Sequence, residues 1–471
     1  MGFLYQPEDG FAGDFIPFYW QGDYHLFYLK DYRDPPGHGE GVPWFHLVTK
    51  DFVTFEDWGE ALPRGTTEEQ DLFVFTGCVV ERQGTFHIFY VGSNPYFRKA
   101  GRPEQVILHA TSPDLRTWHK DPAFSVYSPG EPEYEIHDWR DPFVFWNAEA
   151  GEYWMLVTAR KNTGPTRQRG LLACLASPDL THWEMRPRFW EPDLYINHEC
   201  SDLFQIGDWW YLIYSTYSER WVTHYRMSRT LQGPWLAPAN DTFDARSFYA
   251  AKTSTDGQRR FLSGWLPTRK DEKDDGEWQW GGSLVVNELV QHPDGRLAVR
   301  PPESIVRALG TRHPLQPQAV LGPWQIEAER VTGGTAGQAA SLLLADLPET
   351  GLIEAEVRYV AGTGSFGFLL RADEALEHYY VVRFEPARQR VVFDRWPRPG
   401  DQPFILEQPV TLAPDEPLQV RILVDGTCAV VYAGDQTVLS CRMYEHRVGK
   451  LGLFANEVEA SFAAITLATR G

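Results

Sequence analysis

The first part of the chain repeats a glycine turn followed by an aromatic-rich apolar run. The copies begin at Gly22, Gly84, Gly151, Gly207 and, more weakly, Gly257, so successive copies start 50 to 67 residues apart. A repeat of this period is one supersecondary unit, which buries its hydrophobic face against its neighbours. Short strands separated by turns, four to a unit, therefore predict a five-bladed β-propeller.

A second repeated marker is a small turn followed by an aromatic residue. It occurs at 49–55, 111–118, 176–183 and, in degenerate form, 228–235. In the Ser-Pro-Asp versions the proline presets φ and the aspartate hydrogen-bonds its own backbone, which is turn chemistry. We expect Trp118 and Trp183, which follow these turns, to fill the core.

An acidic residue precedes each glycine turn. The acids are Asp14, Asp71, Asp141, the pair Glu199 and Asp202, and Asp244. The inner strand of each blade lines the propeller axis, so acids at equivalent places converge on one axial pocket. Asp71, Asp202 and Asp244 also fit turn or cap positions, whereas Asp14, Asp141 and Glu199 each stand at the start of an apolar inner strand.

The repeat stops near Pro301, and longer strands with period-two alternation begin after a Pro- and Gln-rich stretch at 314–323. Such alternation with frequent turns predicts a β-sandwich. We expect an all-β chain with a five-bladed β-propeller catalytic domain at 1–305, a linker at 306–323 and a β-sandwich domain at 324–471. A short helical connector is expected at 302–309. The sandwich either packs on the propeller or joins the interface of a homo-oligomer.

The composition narrows the class of partner. A formal net charge of −20 disfavours nucleic acid and anionic membrane surfaces, whose phosphates need clustered Lys and Arg. The five cysteines are scattered without a C-x-x-C pair, which is typical of free thiols in a reducing cytoplasm. We see no signal peptide at the start and no apolar run long enough to span a membrane.

Three convergent carboxylates point to glycoside hydrolysis. Like charges repel in a low-dielectric site, so a fold retains them mainly where chemistry or a metal uses them. Glycosidases place two carboxyl groups on either side of the scissile bond, and one of these groups must stay protonated. A third acid can bind sugar hydroxyls beside a cation such as Arg140. The histidines lack metal-ligand spacing, so we expect neither a metal nor a cofactor.

The ordered motifs resemble glycoside hydrolase family 32, the β-fructosidases. Asp141 lies in an Arg-Asp-Pro motif, Glu199 in a Glu-Cys motif, and Phe75 opens a segment similar to the family's Phe-Ser-Gly-Ser. The segments at 244–250, 264–265, 424–426 and 439–442 resemble the fifth blade and the sandwich of that family. The resemblance implies a retaining, exo-acting β-fructofuranosidase-like hydrolase of fructosides or a related furanoside, with an oligosaccharide or sucrose-like molecule as substrate. Asp14 would be its nucleophile, Glu199 its general acid/base and Asp141 its transition-state stabiliser, with the nucleophile and acid about 5 to 5.5 Å apart.

The resemblance breaks around Asp14. The family pattern Trp-x-Asn-Asp-Pro-Asn-Gly is replaced by a stretch with Gly13 before the aspartate and Phe15 after it. Leu29 stands where relatives commonly have Gln. These changes fall on the sugar-binding side, where the predicted substrate contacts are Arg140, Phe75, Thr76, Trp44, His198 and Trp280.

Two other functions remain open from the sequence. A family 43-type inverting arabinofuranosidase or xylosidase uses a similar three-acid arrangement, with its carboxyl groups about 6.5 Å or more apart. A non-catalytic carbohydrate-binding propeller needs no proton donor and predicts binding without turnover. Within the leading hypothesis, a sugar hydroxyl in place of water would give transglycosylation.

Overall fold

The computed structural model describes residues 2–246, 248–398 and 406–471. It confirms an all-β chain in which a five-bladed propeller precedes a β-sandwich. The resemblance at 244–250 includes Ser247, which lies outside the described residues. No helix in the described ranges is long and apolar enough to cross a membrane.

Each blade is an antiparallel sheet, and the blades follow the repeat in chain order. Blade 1 holds β1 (Phe11–Trp20), β2 (Asp23–Asp31), helix α1 (Pro35–His38), β3 (Trp44–Thr49) and β4 (Glu56–Leu62). Blade 2 holds β5 (Phe73–Arg82), β6 (Thr85–Ser93), helix α2 (Pro95–Lys99), β7 (Gln105–Ser112) and β8 (His119–Lys120). Blade 3 holds β9 (Tyr134–Asn147), β10 (Glu152–Lys161), a 3-10 turn (Thr166–Gln168), β11 (Gly170–Ser177) and β12 (Glu184–Trp190).

Blade 4 differs from the four-strand expectation. It holds β13 (Glu199–Ile206), β14 (Trp209–Thr216) and β15 (Val222–Ser228), and isolated bridges at Leu236 and Thr242 stand at its outer edge. Blade 5 holds β16 (Tyr249–Thr255), β17 (Arg260–Arg269), a 3-10 turn (Lys270–Glu272), β18 (Trp278–Gln291) and β19 (Leu297–Arg300). The first strand of each blade contacts the first strands of both neighbouring blades, so β1, β5, β9, β13 and β16 form a ring around the axis.

The Ser-Pro-Asp turns and their tryptophans join neighbouring blades. Asp114 and Asp179 each accept backbone N–H groups two and three residues ahead, as the sequence predicts. Trp118 in blade 2 packs edge-on against Phe27 of blade 1, with 5.8 Å between ring centroids. Trp183 in blade 3 meets Phe89 of blade 2 in the same way at 5.5 Å. The repeated aromatic residue is therefore a wedge between successive blades.

The sandwich is built from the remaining strands, two of which are long enough to serve both layers. Helix α3 (Glu303–Ala308) connects it to the propeller. Its strands are β20 (Thr311–Arg312), β21 (Gln318–Leu321), β22 (Trp324–Ile326), β23 (Arg330–Gly333), β24 (Ala339–Asp346), β25 (Thr350–Ala372), β26 (Tyr379–Glu385), β27 (Arg390–Trp396), β28 (Leu406–Pro409), β29 (Leu418–Asp425), β30 (Cys428–Ala433), β31 (Thr437–Arg442) and β32 (Lys450–Thr469), with a 3-10 turn (Pro386–Arg388) after β26. β25 and β32 pair along most of their length with several register shifts, which lets them bend from one layer to the other.

The segment expected as a linker is partly ordered into the sandwich. β20 pairs with β32, and β21 pairs with β24. The composition of 306–323 hid these short edge strands because Pro and Gln are also typical of loops. The domain boundaries stay a prediction, and α3 occupies the place expected for the helical connector.

The sandwich packs directly on the propeller. Asp244 accepts hydrogen bonds from the backbone N–H and the hydroxyl of Ser440, at 2.7 and 2.5 Å. Tyr432 donates to Asn287 over 2.8 Å, and the Arg442 guanidinium donates to the carbonyl of Leu266 over 2.7 Å. These residues belong to, or flank, a buried cluster that runs across the junction. Of the two arrangements left open by the sequence, packing against the propeller is present.

Candidate active site

One mouth of the propeller axis holds a cavity of about 420 Å³ that gathers the three predicted acids. Its walls come from all five blades. They are formed by Asp14, Leu29, Phe75, Arg98, Glu104, Gln105, His137, Asp138, Arg140, Asp141, Glu199, Cys200, Tyr217, Trp221, Tyr249 and Trp280.

The acids reach this cavity through irregularities at the same point of the inner strands. The pairing register shifts beside Asp14 in β1, beside Asp141 in β9 and after Glu199 in β13. Asp14, Asp141 and Cys200 have φ values of 45°, 56° and 53°, in the left-handed region that ordinary residues rarely adopt. Each bulge re-aims a side chain at the end of the ring, which is a common use of bulges beside active sites.

Arg140 lies between two of the acids. Its Nη2 donates to Glu199 Oε1 over 2.9 Å, and its Nε lies 3.8 Å from Asp141 Oδ2. Neighbours on a regular strand point to opposite faces. The left-handed Asp141 breaks that alternation, so Arg140 and Asp141 meet on the same side and Arg140 takes the place expected for the cation.

Each acid also receives a directed hydrogen bond. The Tyr249 hydroxyl donates to Glu199 Oε2 over 2.6 Å, and the Trp265 indole donates to Asp14 Oδ1 over 3.0 Å. The backbone N–H of Cys200 donates to Asp141 Oδ2 over 3.0 Å. These donors hold the three carboxyl groups in fixed orientations, which is the preorganisation that catalysis requires.

The electrostatics of the cavity favour protonated carboxyl groups. Burial, with help from Asp141 and Glu199, raises the pKa of Asp14 to about 7. Burial also raises the pKa of Glu199, reinforced by Asp141 and opposed by Arg140 and by the hydrogen bond from Tyr249. The negative charge of Glu199 contributes to the raised pKa of Asp14, so the two groups influence each other's titration, and with a pKa of about 7 Asp14 binds a proton near neutral pH.

A ladder of alternating charges runs outward from Arg140. Its Nη1 donates to Asp138 Oδ1 over 2.8 Å, and Asp138 Oδ2 accepts from Arg160 at 3.3 Å. Arg160 and Arg169 both bind Glu135, at 3.0 and 2.9 Å. Arg140 is thereby held from two sides, by Asp138 and by the acids of the cavity.

The predicted sugar contacts divide into two groups. Arg140, Phe75 and Trp280 line the cavity, whereas Trp44, Thr76 and His198 do not. Trp44 is fully buried, and its indole donates to the Phe75 carbonyl over 3.1 Å. His198 packs against Trp190 and Tyr214, and burial lowers its pKa to about 3.

Ordinary strand alternation accounts for part of this division, because neighbours on a strand point to opposite faces. Thr76 and His198 lie next to the cavity-lining residues Phe75 and Glu199 in sequence, but their side chains are buried in the propeller. The structure thus gives Trp44, Thr76 and His198 positions behind the wall rather than on it.

Two of the departures from the family pattern, Gly13 and Leu29, lie together in one patch. Gly13 and Leu29 face each other across β1 and β2. A side chain at Gly13 would collide with the Trp280 ring, because a Cβ there would lie 2.6 Å from Trp280 Cζ2. The indole of Trp280 therefore occupies the space of the missing asparagine side chain. Phe15 is fully buried against Tyr28 and stays out of the cavity.

The other acids of the repeat have structural partners. Asp71 accepts from Tyr90 and pairs with Lys120, and Asp202 accepts from the backbone N–H of Thr253 and lines a separate cavity. Asp244 belongs to the domain junction. Within the described residues, no group of three His, Cys, Asp or Glu side chains is arranged to hold a metal ion.

Sequence reasoning missed several wall residues. Tyr249 sits at the start of β16, the position equivalent to the acids, and that equivalence was the available signal. Asp138 stands three residues before Asp141 on β9. Arg98 and Glu104 flank the loop between α2 and β7, where the repeat gives no marker.

The propeller, the sandwich and the acid cavity together define a propeller glycosidase. The model of the glycosyl hydrolase family 32 N-terminal domain matches residues 5–301, and that of the family 32 C-terminal domain matches 326–469. The chain belongs to glycoside hydrolase family 32. It is therefore a glycoside hydrolase, which supports the leading hypothesis over the family 43-type and non-catalytic alternatives.

Similar proteins agree with this assignment. The chain is 23% identical to a levanbiose-producing levanase of Bacillus subtilis, over 96% of this chain and 87% of the relative. The fold matches sucrose-6-phosphate hydrolase of Lactobacillus gasseri with a TM-score of 0.76 at 18% identity, covering 100% and 93% of the two chains. It also matches fructan 1-exohydrolase IIa of Cichorium intybus in complex with 1-kestose, with a TM-score of 0.75 at 17% identity and 99% and 96% coverage.

Proposed function

We propose that the protein is an exo-acting, retaining β-fructofuranosidase that hydrolyses terminal fructose units of sucrose-like sugars or fructans. The observation that carries the proposal is the convergence of Asp14, Asp141 and Glu199 on one cavity, with Arg140 between the last two. The names of the relatives, which include levanase, sucrose-6-phosphate hydrolase and fructan exohydrolase, support a fructoside.

Glu199 begins the reaction as the acid. Burial raises its pKa and so favours the protonated form, and Glu199 donates that proton to the leaving-group oxygen as the glycosidic bond breaks. With a pKa of about 7, Asp14 is partly ionised near neutral pH, and in that form its carboxylate, oriented by Trp265, attacks the anomeric carbon and forms a covalent fructosyl-enzyme. Asp141 binds ring hydroxyls and stabilises the positive charge that develops on the sugar.

The second step returns the site to its starting state. Glu199, now a carboxylate held by Arg140 and Tyr249, takes a proton from water. The water oxygen attacks the anomeric carbon, the bond to Asp14 breaks, and fructose leaves with retained configuration. A sugar hydroxyl that replaces water in this step would give transglycosylation from the same intermediate.

The setting of the enzyme is also part of the proposal. All five cysteines are buried and free, a state that a reducing cytoplasm maintains. We propose a cytoplasmic enzyme on this basis, and a homo-oligomer stays a prediction that size measurement in solution will test.

The test is sugar release combined with stereochemistry. Purified protein is given sucrose, 1-kestose, inulin and levan, with aryl arabinofuranoside and xyloside as the competing substrates. Methanol is added to trap the intermediate, and NMR of the methyl fructoside reports its configuration because this product does not mutarotate. We expect fructose release and methyl β-fructofuranoside, which would establish retention.

Three variants complete the test. Asp14→Asn and Glu199→Gln should each lower kcat by about a thousandfold or more, in line with losses of essential catalytic groups. Asp71→Asn is the matched control, since it alters an acid of the same repeat that lies outside the cavity. A fully active Asp14→Asn protein, an inverted methyl fructoside or release of pentose alone would overturn the proposal.

A further inference from the structure

The cavity wall carries more negative charge than positive charge. Even with Glu199 protonated, four carboxylates face two guanidinium groups. The charged wall residues are Asp14, Glu104, Asp138, Asp141, Glu199, Arg98 and Arg140. No other Lys or Arg is among the wall residues in the part of the chain that the structure describes.

Both guanidinium groups are already engaged by carboxylates. Arg140 is 9% exposed and contacts Asp138, Asp141 and Glu199. Arg98, from helix α2, places Nη1 3.2 Å from Glu104 Oε2. The Arg98 side chain is 61% exposed and that of Glu104 is 19% exposed, so this pair stands at the solvent side of the wall.

These charges bear on whether the sugar carries a phosphate group. A phosphate monoester has a charge of about −1.5 to −2 at pH 7, and proteins bind it with unengaged Arg or Lys groups or backbone N–H groups. In a partly buried cavity with excess negative charge, repulsion between like charges opposes the binding of a phosphate. Glu104 already pairs with Arg98, so its negative charge offsets the attraction of that guanidinium for a phosphate.

We infer that the enzyme takes an uncharged sugar and rejects its phosphorylated counterpart, with Glu104 as a residue that determines this specificity. The inference rests on the proposed fructosidase function and narrows its substrate class. Glu104 acts in two ways that point in the same direction. It adds negative charge to the wall, and its pairing with Arg98 offsets the attraction of the exposed guanidinium for a sugar phosphate.

The experiment compares sucrose with sucrose 6-phosphate. Initial rates give kcat/KM for each sugar at low ionic strength and in about 0.5 M NaCl, where charge repulsion across the mouth is screened. We expect the wild type to favour sucrose by about tenfold or more, corresponding to about 1.4 kcal/mol. The ratio should shrink in salt.

Variants locate the effect at the Arg98–Glu104 pair. Glu104→Gln should raise kcat/KM for sucrose 6-phosphate relative to sucrose by several fold, because it removes one negative charge and releases Arg98. Adding Arg98→Ala to Glu104→Gln should abolish that gain. Glu149→Gln is the matched control, since it removes the same charge from an exposed turn of blade 3 that is not part of the cavity wall.

The outcomes separate this inference from the function on which it rests. Turnover of sucrose 6-phosphate at or above the rate for sucrose would overturn the inference and leave the fructosidase standing. An unchanged ratio in Glu104→Gln would overturn the role of Glu104. Calorimetric titration of Glu199→Gln with both sugars reports binding without turnover. Failure of both sugars to bind or react would overturn the proposed function, and the inference with it.

Discussion

Arg140 Nη2 lies 2.9 Å from Glu199 Oε1, so the group proposed as the proton donor is bound to a permanent cation. Arg140 favours the ionised form of Glu199, whereas burial and the charge of Asp141 favour the protonated form. The net effect is a raised pKa, because burial outweighs a single cation that Glu199 also shares with Asp138 and Asp141. The strength of the acid therefore depends on residues that do not touch it.

Asp138→Asn should lower the pKa of Glu199. The substitution removes a negative charge that competes for Arg140, so the ionised form of Glu199 gains stability and its pKa falls by about one unit. The group must be protonated to act, so the alkaline limb of kcat/KM should move to lower pH by the same amount. Initial rates between about pH 4 and 9 measure this shift.

Glu135, which lies farther from Arg140 in the same chain of ion pairs, provides the control for Asp138. Glu135→Gln removes one carboxylate charge from the same chain of ion pairs, but Glu135 binds Arg160 and Arg169 rather than Arg140. Its alkaline limb should move by a few tenths of a unit at most. Equal shifts in both variants would mean that the general charge of the region, and not the sharing of Arg140, sets the pKa.

Tyr249→Phe should move the same limb in the opposite direction. The Tyr249 hydroxyl donates to Glu199 Oε2 over 2.6 Å and stabilises the carboxylate. Without it the pKa of Glu199 rises, and activity should persist to higher pH while kcat falls by about tenfold or more because the carboxyl group loses an orienting contact. Tyr217→Phe alters another tyrosine of the same wall, and its pH profile should stay unchanged. A downward shift in Tyr249→Phe would contradict this assignment.

The sequence predicted the fold class because each repeat contains both the residues that form the turns and the aromatic residues that pack between blades. The glycine turns and the Ser-Pro-Asp turns are local features, and Trp118 and Trp183 become wedges between blades simply because each blade repeats the last. The sequence did not show that blade 4 lacks a continuous fourth strand. It also did not show that residues 311–312 and 318–321 form strands. Both errors concern edge strands, whose sequence patterns are weak.

The site was predicted only as far as the repeat defines it. Asp14, Asp141 and Glu199 stand at equivalent positions, and the structure brings them to one cavity. Which neighbours share that cavity depends on the left-handed residues, since each one reverses the alternation of the strand. Simple alternation would send Arg140 and Asp141 to opposite faces, whereas they meet. The same alternation is consistent with the burial of Thr76 and His198 behind the wall, since they are the neighbours of Phe75 and Glu199.

Leu29→Gln tests the patch where the chain departs from its family. The side chain at 29 lines the cavity opposite Gly13, so an amide there can hydrogen-bond the bound sugar. One net hydrogen bond is worth about 1 kcal/mol, which corresponds to about a fivefold lower KM for sucrose. Leu29→Met keeps the apolar character and volume and should leave KM nearly unchanged. A KM for the Gln variant equal to or above that of the Met variant would show that the patch does not face the sugar.

Asp244→Ala tests the junction between the domains. The carboxylate is buried and accepts from the backbone N–H and the hydroxyl of Ser440, so its loss leaves buried donors without a partner. We expect the free energy of unfolding to fall by about 2 to 4 kcal/mol, measured by urea denaturation. Asp208→Ala, at a side chain that is 93% exposed, should have almost no effect.

The pH dependence of the same variant provides a second and independent check. Burial raises the pKa of Asp244 to about 6, above its value in the unfolded chain. A group of this kind stabilises the fold most at low pH, and that contribution is lost as the pH rises through about 6. The difference in unfolding free energy between wild type and Asp244→Ala should therefore be largest near pH 4 and shrink towards pH 7. A difference that grows with pH would mean that Asp244 is charged in the folded protein throughout this range, held so by its hydrogen bonds to Ser440.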